Sequence, residues 1–231
     1  MLGTIVNSIV VIVGSILGII LKNGINERYK NTIIDGISLA LVIIGIMGGI
    51  KTQNLVLVVI SLAIGGLIGE AIDIEGRLDR LGEKAESYFG QGDSNFAKAF
   101  VNATLVFCIG AMAIVGSLES GLTGNHETLY AKSTMDGIFA VIFASSLGIG
   151  TAFAAIPIFI YQGSITLLAS YLKDILTPEL INEMSAIGGI LIIGIGINML
   201  NIKKIKVGNL LPAVVIPLIY YFITNLVVNL I

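Results

Sequence analysis

Charge is what this sequence has least of. Asp, Glu, Lys and Arg make up only 12% of its 231 residues, about half of the roughly 25% found in an ordinary soluble domain. Hydrophobic residues make up 55%, and the mean hydropathy is +0.97. Such a composition excludes a soluble enzyme domain and places the chain in the lipid bilayer. Other scarcities narrow the chemistry. The single cysteine, Cys108, excludes an internal disulfide and any CxxC metal motif. His126 is the lone histidine, so no multi-histidine metal centre exists, and it is expected in a solvated loop. No Walker A sequence supports ATP-driven work. No serine has a histidine near it in sequence, so no catalytic constellation is visible and neither enzyme activity nor a cofactor is expected. Net charge is −2, which gives nucleic acid nothing to bind.

The few charges are unevenly spread. Uncharged runs cover 1–21, 36–50, 52–69, 99–118, 137–172, 184–202 and 207–231. A helix needs about 20 mostly apolar residues to cross the hydrocarbon core. The 137–172 run is too long for one crossing, and Gly148, Gly150 and Pro157 are breakers near its middle. These runs predict an all-α polytopic membrane protein of about eight spans. The expected segments are 2–21, 33–50, 54–71, 99–118, 136–153, 156–172, 185–201 and 208–229. The first lacks a basic leader and a small-residue cleavage site, so it reads as a retained helix.

Between the third and fourth spans lies a polar connection, 73–98. Ile74, Leu78, Leu81, Ala85 and Tyr88 fall on one helical stripe, with charged residues on the other faces. It reads as a cytoplasmic amphipathic helix at the membrane surface, ended by Gly90-Gln91-Gly92-Asp93. With eight spans, ten basic residues gather on one face (Lys22, Arg28, Lys30, Arg77, Arg80, Lys84, Lys98, Lys203, Lys204, Lys206) and three on the other (Lys51, Lys132, Lys173). The positive-inside rule then puts both termini outside the cytoplasm.

A faint repeat runs through this single transmembrane domain. Val13-Gly14-Ser15 recurs as Val115-Gly116-Ser117, and Asp35-Gly36-Ile37 as Asp136-Gly137-Ile138. The offset spans three helices, so units 1–72 and 99–172 would be inverted repeats, an architecture common in secondary transporters; 185–231 adds a further helix pair.

Two acids stand at expected helix starts. Thr32-x-x-Asp35 and Ser133-x-x-Asp136 both spell a capping box, so both aspartates are expected to cap. Glu70 and Glu119 end helices, where capping cannot explain them. Uncharged polarity inside the spans points to a solute path. Asn102, Ser117, Ser145, Ser146, Thr151, Gln162, Ser164 and Thr166 are the candidate substrate-binding residues. The break expected at Gly148 to Pro157 supports this choice, because irregular backbone at membrane depth lines cavities or is buried in protein. Tight packing by small residues is the competing explanation.

The segments Phe107-Cys108-Ile109-Gly110-Ala111-Met112-Ala113-Ile114-Val115-Gly116-Ser117, Lys132-Ser133-x-x-Asp136-Gly137, Tyr161-Gln162-Gly163-Ser164-Ile165-Thr166 and Asn209-Leu210-Leu211-Pro212-Ala213 together carry a family likeness. The chain resembles the bacterial membrane family called domain of unknown function 554, the YqgA/YdfK-like proteins. That resemblance implies a bacterial inner-membrane protein and transport activity, and supplies no substrate. The resulting expectation is a secondary transporter or channel for a small polar solute or ion, with the lipid bilayer as partner and homo-oligomerisation left open. The competing reading is a membrane scaffold that recruits a partner through its 73–89 surface helix.

Overall fold

The computed structural model describes residues 1–22, 27–89, 96–108 and 110–228, and every regular element among them is helical. In chain order these are α1 (Leu2–Lys22), α2 (Glu27–Gly49), α3 (Leu55–Ile72), α4 (Ile74–Phe89), α5 (Phe96–Cys108), α6 (Ala111–Leu122) and α7 (Glu127–Leu147). Then follow α8 (Gly150–Phe153), α9 (Ala155–Leu167), α10 (Ala169–Leu172), α11 (Pro178–Met199), a 3₁₀ helix (Gly208–Val215) and α12 (Ile216–Val228). Five stretches are long and apolar enough to cross a bilayer: Leu2–Leu21, Asn31–Gly49, Leu55–Ile72, Gly150–Leu167 and Pro178–Met199. α5 and α6 add a pair bent by 61°. α7 has the length but carries Glu127, Lys132 and Asp136 in its first half.

Local sequence sets the helix ends. Asn54 starts α3 by accepting the Leu57 N–H at 3.0 Å, and Thr177 accepts the Leu180 N–H ahead of Pro178 in α11. Asp73 takes the left-handed conformation (φ 55°) and turns the chain from α3 into α4. The amphipathic helix predicted over 73–89 is therefore α4; the Gly90–Asp93 stretch lies outside the described residues.

The helices pair through small residues. Gly14 and Gly18 of α1, Gly45 and Gly49 of α2, and Gly65 and Gly69 of α3 each form a G-x-x-x-G pair facing another element, which lets backbones approach closely. A Cβ on Gly18 would stand 2.3 Å from the Val141 carbonyl oxygen, and one on Gly45 would stand 2.5 Å from that of Gly189. Residue numbers rise together along α1 and α7 (Gly14 by Gly137, Gly18 by Val141), so these helices are parallel. They run oppositely along α2 and α11 (Gly196 by Ser38, Gly45 by Gly189), and along α3 and the 3₁₀ helix (Gly65 by Ala213, Gly69 by Asn209).

Three expectations need correction. α7 begins at Glu127, not near 136, so Asp136 lies over two turns inside it; α2 likewise begins at Glu27, well before Asp35. Neither aspartate caps a helix, because in each case the helix continues upstream of the hydroxyl residue and leaves no orphan N–H groups there. Pro157 does not break its helix; it sits in the first turn of α9, where a missing N–H costs nothing. The chain turns at Gly148 (φ 101°), the first of the three expected breakers, between α7 and α8. A break at a distance from any proline falls inside the fourth expected span, at Gly110 (φ 139°), between α5 and α6.

Candidate functional site

The least expected feature is a buried ion pair. Lys132 and Asp136 are one turn apart on α7, and each side chain is only 8% exposed. The Lys132 ammonium donates to Asp136 Oδ2. Asn7 on α1, fully buried, donates from Nδ2 to the same oxygen at 3.0 Å and to Gln162 Oε1 of α9 at 3.3 Å. Three helices thus meet at one carboxylate, and the pairing of α1 with α7 holds the network in register. Its polar capacity is not used up. Asn7 Oδ1 and Gln162 Nε2 have no partner, nor do the buried hydroxyls of Thr4, Ser8, Ser117 and Thr166 on the same helices and α6.

A cavity of about 380 Å³ adjoins the pair. Its walls come from α2, α5, α6, α7 and α11, and Lys132, Asp136, Lys51 and Ser185 are among its lining residues. The Gly110 break contributes the first turn of α6. A smaller cavity of about 220 Å³ shares Gly110 and Ser185 and adds Thr104, Cys108, Tyr161 and Met184. Toward α4 lies a third, polar cavity of about 450 Å³, lined by Lys98, Lys203, Lys204, Glu75, Asp79 and Asn102 among others. Among the described residues, no group of three or more His, Cys, Asp or Glu could hold a metal ion.

The residues chosen from sequence do not form one cluster. Gln162 sits in the Asn7–Asp136 network, and Thr166 lies one turn further along the same helix, against α6 near Gly121. Ser117 is buried on α6 with its hydroxyl unpartnered. Ser145 and Ser146 lie at the far end of α7, about 14 Å along the axis from Asp136. Ser145 there donates to the Ile142 carbonyl oxygen at 2.8 Å. Thr151 is fully buried on α8 with its hydroxyl unpartnered, next to that same end. Asn102 lines the polar cavity, and Ser164 is exposed on the outer face of α9. Lys132, counted from sequence among the loop charges, is instead inside the protein. Asn7, Lys132 and Asp136 are the members outside the candidate set, Asp136 because it reads as a cap; a lysine one helical turn from an acid was the available signal.

Other polar groups act as fasteners. Glu183 on α11 is 2% exposed and accepts from Thr52 Oγ1 (2.5 Å), Gln53 N (2.8 Å) and Asn54 N (3.2 Å), which anchors the α2–α3 turn. Glu70 accepts from Lys206 Nζ at 2.5 Å and Asn209 Nδ2 at 2.6 Å. Glu75 closes the corner, accepting the Gly208 N–H at 2.7 Å while its own N–H donates to Asn209 Oδ1 at 2.7 Å. Glu119 accepts from Thr128 Oγ1 at 2.6 Å, and His126 Nδ1 lies 3.0 Å from Ser120 Oγ.

Long apolar helices paired through glycine, with charged and amide side chains buried between them, define an all-helical membrane protein. The particular family follows from comparison with known sequences: the chain belongs to the family described as protein of unknown function DUF554, whose profile matches residues 2–222. It is 39% identical over 231 residues to "uncharacterized membrane protein YdfK" of Bacillus subtilis (strain 168), covering 97% of each chain. It is 31% identical over 220 residues to "uncharacterized protein YqgA" of Escherichia coli (strain K12), covering 93% of this chain and 94% of that one. No solved structure matches.

Proposed function

We propose that the protein is a secondary transporter or channel for a small polar solute or ion, working without ATP and without catalysing a reaction, in the bacterial inner membrane. One observation carries this reading: the Lys132–Asp136 pair with Asn7 and Gln162 is buried between helices and borders a cavity opened by the Gly110 break. Charged residues among lipid-embedded helices are costly and typically mark substrate or ion pathways, and half-helix ends at depth are the usual material of transporter sites.

The reading takes eight crossings: α1, α2, α3, α5–α6, α7, α8–α10, α11 and the 3₁₀ helix with α12. Support comes from direction. Alternating crossings make α1 parallel to α7 and α2 antiparallel to α11, as the glycine contacts have them. The α5–α6 pair runs alongside α8–α10, with Phe96 by Gly150 and Gly121 by Thr166. Both termini then lie outside the cytoplasm. Asp35 and Asp136, each a little over two turns into α2 and α7, occupy matching depths in two inverted three-span units.

Thiol labelling tests the reading without knowledge of the substrate. In a Cys108→Ser background, single cysteines replace Ser185 (buried, cavity wall) and Leu39 (59% exposed on α2, facing outward). A membrane-impermeant methanethiosulfonate reagent is applied to intact cells and to inverted vesicles. Labelling at 185 from either side, with none at 39, is expected. An unreactive 185 from both sides means a dry interior and leaves the scaffold reading.

A further inference from the structure

We infer that the cavity beside the Gly110 break is a binding site for a small monovalent anion, held by the first turn of α6, the Ser185 hydroxyl and the Lys132 ammonium; this rests on the transport reading above. The argument begins with the backbone. The first N–H groups of an α-helix have no partner within it, and the aligned peptide dipoles put about half a positive charge there. Such a terminus is a ready anion site. α6 begins at Ala111 after Gly110, which makes no side-chain cap, although the Ala113 N–H donates to the Gly110 carbonyl oxygen at 3.1 Å. Gly110, Ala111, Met112 and Ala113 all line the 380 Å³ cavity, whereas α5 contributes only Val106. Leu105 and Cys108 of α5 line the smaller cavity. The first turn of α6 therefore borders the larger space, with Gly110 lining both cavities.

Ser185 supplies an independent sign of a ligand. It is 8% exposed, its hydroxyl has no hydrogen-bond partner, and it lines the cavity from α11. A buried hydroxyl without a partner costs stability unless something in the cavity accepts from it. The charges agree in sign. Lys51 and Lys132 line the cavity against one carboxylate, Asp136. The polar cavity toward α4 repeats the bias, with Lys98, Lys203 and Lys204 against Glu75 and Asp79, and Glu75 already accepts the Gly208 N–H. Asn102, whose buried Nδ2 is unpartnered, lines that cavity from the middle of α5. Thr104 and Ser185, both with unpartnered hydroxyls, line the smaller cavity beside the Gly110 break. An anion in the larger cavity competes with Asp136 for Lys132.

The test is the melting temperature of purified protein in detergent, titrated with sodium acetate, formate, nitrate or chloride against sodium gluconate at constant sodium and ionic strength. Any ligand that binds the folded state alone raises stability by mass action. A saturable rise with at least one small anion is expected. Ser185→Ala should weaken the apparent affinity about tenfold, the loss of one hydrogen bond to a charged group, and Lys132→Gln should weaken it further. Asp136→Asn should tighten it, because Lys132 loses its competitor, an effect that a merely structural aspartate would not produce. If either ion-pair variant fails to fold, Ser185→Ala alone decides. The inference is overturned if no small anion shifts the native protein, if Ser185→Ala leaves the affinity unchanged, or if sodium, potassium or lithium as gluconate salts give the only shifts. Labelling at position 185 reads the transport proposal separately: a reactive 185 with no anion response rejects the anion and keeps the path.

Discussion

A double-mutant cycle on Lys132 and Asp136 tests the buried pair most directly. Replacing one member of a buried ion pair leaves an uncompensated charge and costs about 3–5 kcal/mol. Lys132→Met leaves Asp136 with Asn7 Nδ2 as its remaining donor, at 3.0 Å. Asp136→Asn leaves the Lys132 ammonium, 8% exposed, without a carboxylate. Each single variant should therefore lose about 3–5 kcal/mol, and independent effects would sum to about 6–10 kcal/mol. The double variant removes both charges together. Asn7 still reaches Gln162 Oε1 at 3.3 Å and gains an amide neighbour at 136, so the double should lose no more than about 2 kcal/mol. The coupling energy would then be at least about 4 kcal/mol, above the roughly 0.5–3 kcal/mol usual for neighbouring residues, as expected of a buried charge pair. Reversible unfolding in mixed micelles, monitored by helical circular dichroism, measures it. A double variant as unstable as the sum of its singles would refute the claim that these residues act as a pair.

Gly69→Ala should strain the α3 corner: its Cβ would lie 1.9 Å from the Asn209 carbonyl oxygen, so α3 and the 3₁₀ helix must part. A loss of about 1–3 kcal/mol is expected in the same unfolding assay, against near-neutrality for Gly36→Ala, which meets nothing within 4 Å. At Glu75, burial and then neighbouring Asp79 hold the carboxyl above its ordinary 4.5, outweighing the Gly208 N–H and Lys204 and Lys206. The folded state thus binds that proton more readily than the unfolded chain. Its contribution is fully present below pH 4.5 and is lost as pH rises through the raised value; Glu75→Gln should flatten that part of a stability–pH curve, and an unchanged curve would refute the assignment. C-terminal fusions should give active alkaline phosphatase and a dark fluorescent protein; the opposite pair would invert the topology.

Much of the fold is legible in the sequence, because span length and charge gaps are properties of consecutive residues. α1, α3 and α4 fall within a residue or two of the runs that predict them. Helix starts in polar sequence are harder. Thr32-x-x-Asp35 and Ser133-x-x-Asp136 look like caps, but a capping box is the same string of residues whether or not the helix has already begun. At Ser133 the hydroxyl donates to the Leu129 carbonyl oxygen at 2.6 Å, a bond that belongs inside a helix. The Gly110 break is invisible because Phe107 to Ser117 is as apolar as the spans around it, and only φ distinguishes this glycine from those that pack helices. Gln162 is legible as polarity in an apolar run. Its partnership with Asn7 and Asp136 is not, since it depends on α1 lying beside both α7 and α9.

That last dependence bears on how the chain is made. Asn7 finds Asp136 and Gln162 at sequence separations of 129 and 155. At roughly 5–20 residues per second, α1 waits about 6–26 s after its own synthesis before α7 emerges, and longer for α9. During that interval an amide, several hydroxyls and the close-packing face of Gly14 and Gly18 are in the membrane with no final neighbours. A nascent chain stalled after α4 should therefore keep α1 beside the insertion machinery, detectable by crosslinking from position 7, and release it only once α7 has entered.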